Sequence, residues 1–169
     1  MRIFQIAPLA CLFGLSAALG GCGDGGSPTG GASSASDTRG VIASAADCVS
    51  FGDEAVKACA AAIETAVAKH EASSQVYSNL QACETAVGVG KCERAASGKY
   101  RTRLSAFAVT IGSSARAEPL YPTKDGAVGF QTASKTTLLA SDQSLAFSRL
   151  ALSVAEAQAG PGKKGRKKL

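Results

Sequence analysis

Apolar residues recur at intervals of three and four in the stretch that follows Phe51-Gly52-Asp53. This spacing puts apolar side chains on one face of an α-helix, and the many alanines between residues 58 and 68 favour helix formation. We predict a helix that has Asp53 as its N-cap and ends near Ser73-Ser74. Its apolar stripe consists of Val56, Cys59, Ala60, Ile63 and Val67.

A second, shorter helix is predicted to begin at Ser78 or Asn79. Gly88 and Gly90 should end it, because glycine is the usual residue just past a helix C-terminus. The apolar side of this helix consists of Leu80, Cys83, Ala86 and Val87. We expect the two helices to form a hairpin.

The second half of the chain has a weaker pattern. β-branched and aromatic residues that partly alternate with others predict a strand from Arg101 to Ile111. Asp125-Gly126 is a turn signal, and residues 127–132 follow it as a return strand. We expect a short β-hairpin that rests on the helices, because a two-stranded ribbon is only marginally stable alone.

A last helix is predicted within residues 140–159, with Ser141-Asp142 as its cap. Its apolar stripe, which includes Leu145 and Leu152, should dock on the core; a membrane surface is the alternative. The predicted fold class is therefore mainly α: a small disulfide-stapled helical hairpin domain with a short β-hairpin and a C-terminal helix.

The amino-terminal residues predict export and a lipid anchor. Residues 1–21 have a basic start, an apolar run and small residues at the end, as secretory signal peptides do. The sequence Leu19-Gly20-Gly21-Cys22 resembles a bacterial lipobox, which implies a lipid on Cys22 and cleavage before it. Residues 22–44 are rich in Gly and Ser and read as a flexible linker. We expect a lipid-anchored protein of the bacterial envelope with its domain in the periplasm. Gly23, in place of Asp, resembles the enterobacterial sorting signal for the outer membrane, which is therefore favoured.

Six cysteines are present, of which Cys11 lies in the signal segment and Cys22 would carry the lipid. The even number that remains predicts two disulfides in an exported chain. The absence of any Cys-x-x-Cys pair disfavours zinc and redox sites. Three pairings are open, and we favour the local one over a pairing across the helical hairpin. The remaining cysteines are Cys48, Cys59, Cys83 and Cys92.

The formal net charge of +5 comes from the end of the chain, where the last seven residues include five Lys or Arg and no acid. We expect residues 160–169 to be a solvated basic tail; attachment to anionic lipid headgroups or cell-wall polymers is the alternative. Nucleic acid is not an expected partner, because the tail has no interleaved aromatic residues.

The cysteine spacing also resembles that of a known family. Between successive cysteines from Asp47-Cys48 to Cys92 lie ten, twenty-three and eight residues, and the stretch ends in Gly88-x-Gly90-x-Cys92. Pro119-Leu120-Tyr121-Pro122 follows later. These features resemble the YgiB-like bacterial lipoproteins (domain of unknown function family 1190) over roughly residues 44–139. The family has no established activity, so the resemblance implies a location and a fold rather than a reaction.

The sequence contains no convincing catalytic constellation. His70 is the single histidine, and we expect it to be a solvated surface residue. We predict no catalytic residue, metal or cofactor. The expected function is a non-catalytic binding or structural module tethered to the membrane through Cys22, with an envelope protein or a cell-wall component as its partner. The alternative is an enzyme or redox accessory that uses an exchangeable disulfide. The predicted domain is residues 45–139, followed by the C-terminal helix and the basic tail.

Overall fold

The structure is a computed structural model that describes residues 37–159. The predicted signal peptide, Cys22, most of the predicted linker and the basic tail lie outside the described residues. None of the described helices is long and apolar enough to cross a membrane.

The described chain contains three α-helices, two 3-10 segments and nine strands. The helices are α1 (Val56–Ser73), α2 (Leu80–Val87) and α3 (Arg149–Ala159), and the 3-10 segments are Ala45–Phe51 and Asp53–Ala55. The strands are β1 (Thr38–Ile42), β2 (Val76–Tyr77), β3 (Cys92–Arg94), β4 (Tyr100–Thr102), β5 (Ala106–Ile111), β6 (Arg116–Pro122), β7 (Gly129–Gln131), β8 (Thr137–Leu139) and β9 (Ala146–Phe147).

The strands form two sheets. The larger has six strands in the order β8-β7-β6-β5-β1-β9 and curls into a half-barrel. The pair β1–β9 is parallel, whereas the other pairs in this sheet are antiparallel. The smaller sheet has three antiparallel strands in the order β2-β4-β3.

The larger sheet is covered on both faces along most of β5, which explains why this strand is apolar apart from Thr110. On β5, Phe107 and Val109 pack with Ile63 of α1. Ala106, on the opposite face of the same strand, packs with Ala151 of α3. A strand buried on both faces has no polar side, and its sequence therefore lacks clean alternation.

The prediction of a mainly α fold is wrong, since 38% of the described residues are helical and 28% lie in strands. The predicted helical hairpin does not form, because β2 lies between α1 and α2 and pairs with β4. The strands were hard to predict because most have only two or three residues. In β6, Pro119 and Pro122 argue against a strand. Because β7 pairs only with the last two residues of β6, Pro119 lies at an edge that tolerates proline, and Pro122 is the last residue of the strand.

The start of the domain also differs from the prediction. Residues 38–42, assigned to the linker, form β1, which lies between β5 and β9. Val41 is 0% exposed and Ile42 is 1% exposed. The apolar part of β1 is too short to stand out beside the Gly- and Ser-rich residues that precede it, so composition alone misassigned it.

Helix termini were predicted with mixed success. Asn79 caps α2 as expected, because its side-chain oxygen accepts a hydrogen bond from the Ala82 N–H at 2.8 Å. Asp53 lies in a 3-10 segment and does not cap α1. The last helix docks on the core as expected, but it does so through Ala151 and Ala155, which are 0% exposed, and not through the predicted stripe, whose Leu145 precedes the helix. It starts later than predicted, where the Ser148 hydroxyl accepts a hydrogen bond from the Ala151 N–H.

Replacing a β1 side chain tests whether this segment belongs to the core. We expect Ile42→Ala to lower the free energy of unfolding by about 2–5 kcal/mol, because it opens a cavity among buried apolar residues. Val89→Ala, at a side chain that is 84% exposed, should change it by less than about 0.5 kcal/mol. Urea denaturation measures the free energy of unfolding of both variants. Equally small effects of the two substitutions would contradict a core position for residues 38–42.

Candidate functional site

The last turns of α1 contain a buried histidine. His70 is 1% exposed, so the prediction of a solvated surface residue is wrong. It occupies the buried side of α1, one turn after Ala66, which is also buried. The three- and four-residue spacing reaches His70, but a polar residue at such a position does not by itself indicate burial.

Three side chains surround the imidazole ring. Nε2 lies 3.3 Å from Glu93 Oε1, while Nδ1 lies 2.7 Å from Ser74 Oγ and 3.1 Å from Tyr121 Oη. The hydroxyl of Ser74 also donates to the main-chain carbonyl of His70. Every polar atom of the buried ring therefore has a partner, as burial of a polar group requires.

Glu93 connects the histidine to a buried arginine. Its Oε1 also accepts a hydrogen bond from Arg101 Nε at 2.8 Å, and its Oε2 accepts one from the Leu104 N–H at 3.3 Å. Arg101, 8% exposed, donates a further hydrogen bond from Nη2 to Glu71 Oε1 at 3.1 Å. We call His70, Ser74, Glu93, Arg101 and Tyr121, with Glu71 at the surface, the polar cluster.

Several elements position the polar cluster. Glu93 on β3 and Arg101 on β4 are directly paired across the smaller sheet, whereas Tyr121 comes from β6 of the larger sheet. His70, Glu71 and Ser74 lie at the C-terminal end of α1. The cluster therefore lies where α1 and the two sheets meet.

The surroundings shift three pKa values. Burial lowers the pKa of His70 below its ordinary 6.5, although the hydrogen bond to Glu93 opposes this shift. Burial raises the pKa of Tyr121 above 10.0. Burial alone would lower the pKa of Arg101, but its hydrogen bonds to Glu93 and Glu71 outweigh burial and raise it. At neutral pH the cluster therefore holds a neutral imidazole and a neutral phenol beside a charged guanidinium.

The neutral histidine determines the direction of the hydrogen bonds. A neutral imidazole carries one N–H, and the Glu93 carboxylate fixes it on Nε2, so that Nδ1 accepts. The hydroxyl protons of Tyr121 and Ser74 then have two inward acceptors, Nδ1 and the His70 carbonyl oxygen. Both hydroxyl oxygens keep lone pairs for a second partner.

A cleft of about 220 Å³ opens beside these two hydroxyls. Its wall contains polar side chains from α1, from β4 and from the loops after α1 and β7, together with two tyrosines. Lys135 at its rim has a φ of 68°, a left-handed conformation that costs a non-glycine residue about 1–3 kcal/mol. The lining residues are Ser73, Ser74, Gln75, Tyr77, Val87, Thr102, Tyr121, Ala133 and Lys135. We call this space the Ser74–Tyr121 cleft.

The four domain cysteines are paired locally. Cys48 is joined to Cys59 and Cys83 to Cys92, which is the pairing that the sequence favoured. The first disulfide joins a 3-10 segment to α1, and the second joins α2 to β3, one residue before Glu93. Neither pins two α-helices together. The described residues contain no group of three or more His, Cys, Asp or Glu side chains that could hold a metal ion.

The chain is thus a two-sheet α+β domain with two disulfides and a polar cluster. It belongs to the family described as "Protein of unknown function (DUF1190)", whose model matches residues 36–164. This confirms the suspected family, and the match extends beyond residues 44–139 to include β1 and α3. No curated protein and no solved structure matches the chain.

Removing the histidine should change how stability depends on pH. The pKa of His70 in the folded state lies below 6.5, so the unfolded chain takes up the proton first as the pH falls. The stability contributed by neutral His70 is therefore complete above pH 6.5 and is lost below it. We expect His70→Gln to lower the free energy of unfolding by about 1–3 kcal/mol at pH 8, and by less at pH 5.5.

Urea denaturation at the two pH values measures this difference. Lys57→Gln is the control, because Lys57 is exposed on α1 and is not part of the polar cluster. A wild-type advantage over His70→Gln that stays constant or grows towards pH 5.5 would contradict a buried neutral histidine.

Proposed function

We propose that the protein is a lipid-anchored protein of the bacterial cell envelope whose domain binds a polar partner without catalysing a reaction. The observation that carries this proposal is the burial of both disulfides in the fold. Cys48, Cys59 and Cys83 are 0% exposed and Cys92 is 6% exposed. Disulfides of this kind persist in oxidising compartments such as the periplasm, which agrees with the predicted export signal.

The lipobox-like sequence before Cys22 supplies the anchor in this proposal. Cys22 lies fifteen positions before Asp37, the first described residue. The predicted linker between them lets the domain turn towards a partner while it remains attached to the membrane. More than one acyl chain is needed for firm attachment, and lipidation of an N-terminal cysteine in bacteria meets that requirement.

The alternative, redox work by an exchangeable disulfide, fits the burial poorly. Thiol–disulfide exchange needs a thiolate to reach one sulfur of the bond, and every disulfide cysteine is buried. Local pairing over short loops is also typical of structural disulfides. Each such disulfide stabilises the fold by roughly 2–3 kcal/mol in the chain-entropy model. We therefore assign both disulfides a structural role.

A hydrolase that uses Ser74 and His70 is also a poor fit. The two side chains lie 2.7 Å apart, but the imidazole side chain is 0% exposed and its Nε2 is held by Glu93. A general base must pass its proton on to a leaving group within hydrogen-bond reach. The buried ring has its partners inside the protein, which suits a positioning role for the hydroxyls.

Binding at the Ser74–Tyr121 cleft follows from those hydroxyls. Their protons are directed inward, so their oxygens offer acceptors to a ligand that carries N–H or O–H donors. Tyr77 and Tyr121 add aromatic surface with a polar end, which is common at binding sites. We propose a donor-rich ligand of the envelope, namely a cell-wall component or a peptide segment of a partner protein.

The test uses cells that express the protein with Gln75→benzoylphenylalanine, a photo-crosslinking residue at the exposed rim of the cleft. After labelling with a radioactive fatty acid, we expect label in the protein and its loss in Cys22→Ala but not in Cys11→Ala. Non-reducing mass spectrometry should find Cys48 linked to Cys59 and Cys83 linked to Cys92. Irradiation should crosslink an envelope component.

Glu64→benzoylphenylalanine is the matched control, because Glu64 is exposed on α1 and does not line the cleft. Equal crosslinking from both positions would reject the cleft as the binding site. Free thiols at the four domain cysteines in protein taken from cells would reject the structural disulfides. Label that persists in Cys22→Ala would reject the anchor.

A further inference from the structure

Two arginines and a threonine form a row across three neighbouring strands of the larger sheet. Arg39 on β1 is paired with Thr110 on β5, and Thr110 is paired with Arg116 on β6. Side chains at paired positions point to the same face of a sheet, and neighbouring strands lie about 4.8 Å apart. The two arginines therefore stand on either side of the Thr110 hydroxyl, on one face. We call these residues the cationic row.

The cationic row lines a cavity of about 330 Å³ that is separate from the Ser74–Tyr121 cleft. Ala108, two residues before Thr110 on the same face of β5, has a small side chain that leaves room beside the row. Lys69 of α1 lines the same cavity and adds a third cation. Glu118 is the single acidic residue in the lining, so three positive charges face one negative charge.

The cations of this cavity are not neutralised by ion pairs within the described part of the chain. Three ion pairs are formed there, and all involve the polar cluster: His70–Glu93, Arg101–Glu71 and Arg101–Glu93. Arg39, Lys69 and Arg116 have no acidic side chain within 4.0 Å among residues 37–159. They are also exposed, so their N–H donors are available to a ligand.

A phosphoryl group matches this arrangement. Guanidinium groups bind phosphate oxygens with two parallel hydrogen bonds, and a threonine hydroxyl between them can donate a further one. An anion with several oxygens pointing in different directions can reach donors on both sides of the row. The net positive charge of the lining adds long-range attraction for such an anion.

We propose that the cationic row binds the phosphate of anionic membrane lipids, so that this face of the domain lies on the bilayer that holds the anchor. The inference rests on the proposed lipidation of Cys22. Arg39 lies seventeen residues after Cys22, and a Gly/Ser-rich chain of that length has an end-to-end distance of about 23 Å. Among the described strands, β1 is the nearest in sequence to the anchor, so the cationic row is kept close to the headgroups.

Chemical footprinting of arginines tests this in the intact lipidated protein. The protein is incorporated into vesicles of phosphatidylcholine alone or of phosphatidylcholine with phosphatidylglycerol, collected by flotation, and treated with phenylglyoxal. Mass spectrometry then gives the modification rate of each arginine. We expect the rates of Arg39 and Arg116 to fall about five-fold with phosphatidylglycerol, the factor that one basic residue contributes at an anionic surface.

Arg94 and Arg103 are the internal controls, because both are exposed and neither lines the cavity. Selective protection of Arg39 and Arg116 supports the proposal. Equal protection of all four arginines, or protection of none, in protein that floats with the vesicles overturns the proposal. Flotation in that case still supports the lipid anchor. Protection of the row by millimolar inorganic phosphate with phosphatidylcholine vesicles would mean that free phosphate is the ligand, and overturns the assignment to lipid. A protein that fails to float overturns both the anchor and this inference.

Discussion

The carboxylate of Glu93 holds together parts of the fold that share no apolar core. It binds His70 of α1, Arg101 of β4 and the main chain at Leu104. No residue of β2, β3 or β4 belongs to either of the two buried apolar clusters. The smaller sheet is therefore attached to the rest of the domain largely through polar contacts, whereas the Cys83–Cys92 disulfide joins it to α2, which packs on the same sheet. An unpaired charge in such a place would be costly, which makes Glu93 the constraint on which the arrangement depends.

The larger sheet, in contrast to the smaller one, is held to the helices by apolar packing. The clusters on the two faces of the larger sheet depend on small side chains, with Phe130 and Ile42 as the largest that are fully buried. Alanines at the α3 interface let the helix approach closely, but they bury little area per residue. A domain with so few large core residues gains from covalent links. Cys48–Cys59 lies within one of the apolar clusters, whereas Cys83–Cys92 supports the strand that carries Glu93.

How much could be predicted from the sequence depended on whether the signal was local. The cap at Asn79 and the end of α2 at Gly88 follow from local chemistry, and both predictions are confirmed. Local disulfide pairing was favoured and is found, although spacing alone left three pairings open. β5 lies within the strand predicted from Arg101 to Ile111. The order of the sheet could not be predicted, because β1, β5 and β9 are brought together from distant parts of the chain. His70 was misassigned for the same reason, since its partners Glu93 and Tyr121 lie 23 and 51 residues further on.

The polar cluster also gives the Ser74–Tyr121 cleft its chemistry, because a neutral His70 directs the hydroxyl protons inward. Because the chain has one histidine, the charge of its imidazole ring can be measured directly. Nitrogen-15 NMR of the imidazole ring reports the charge and the protonated nitrogen. We predict a neutral ring at pH 7 with the proton on Nε2, and a titration midpoint below 6.5. A ring that titrates at or above 6.5, or that exchanges between both tautomers as a solvated histidine does, would contradict it.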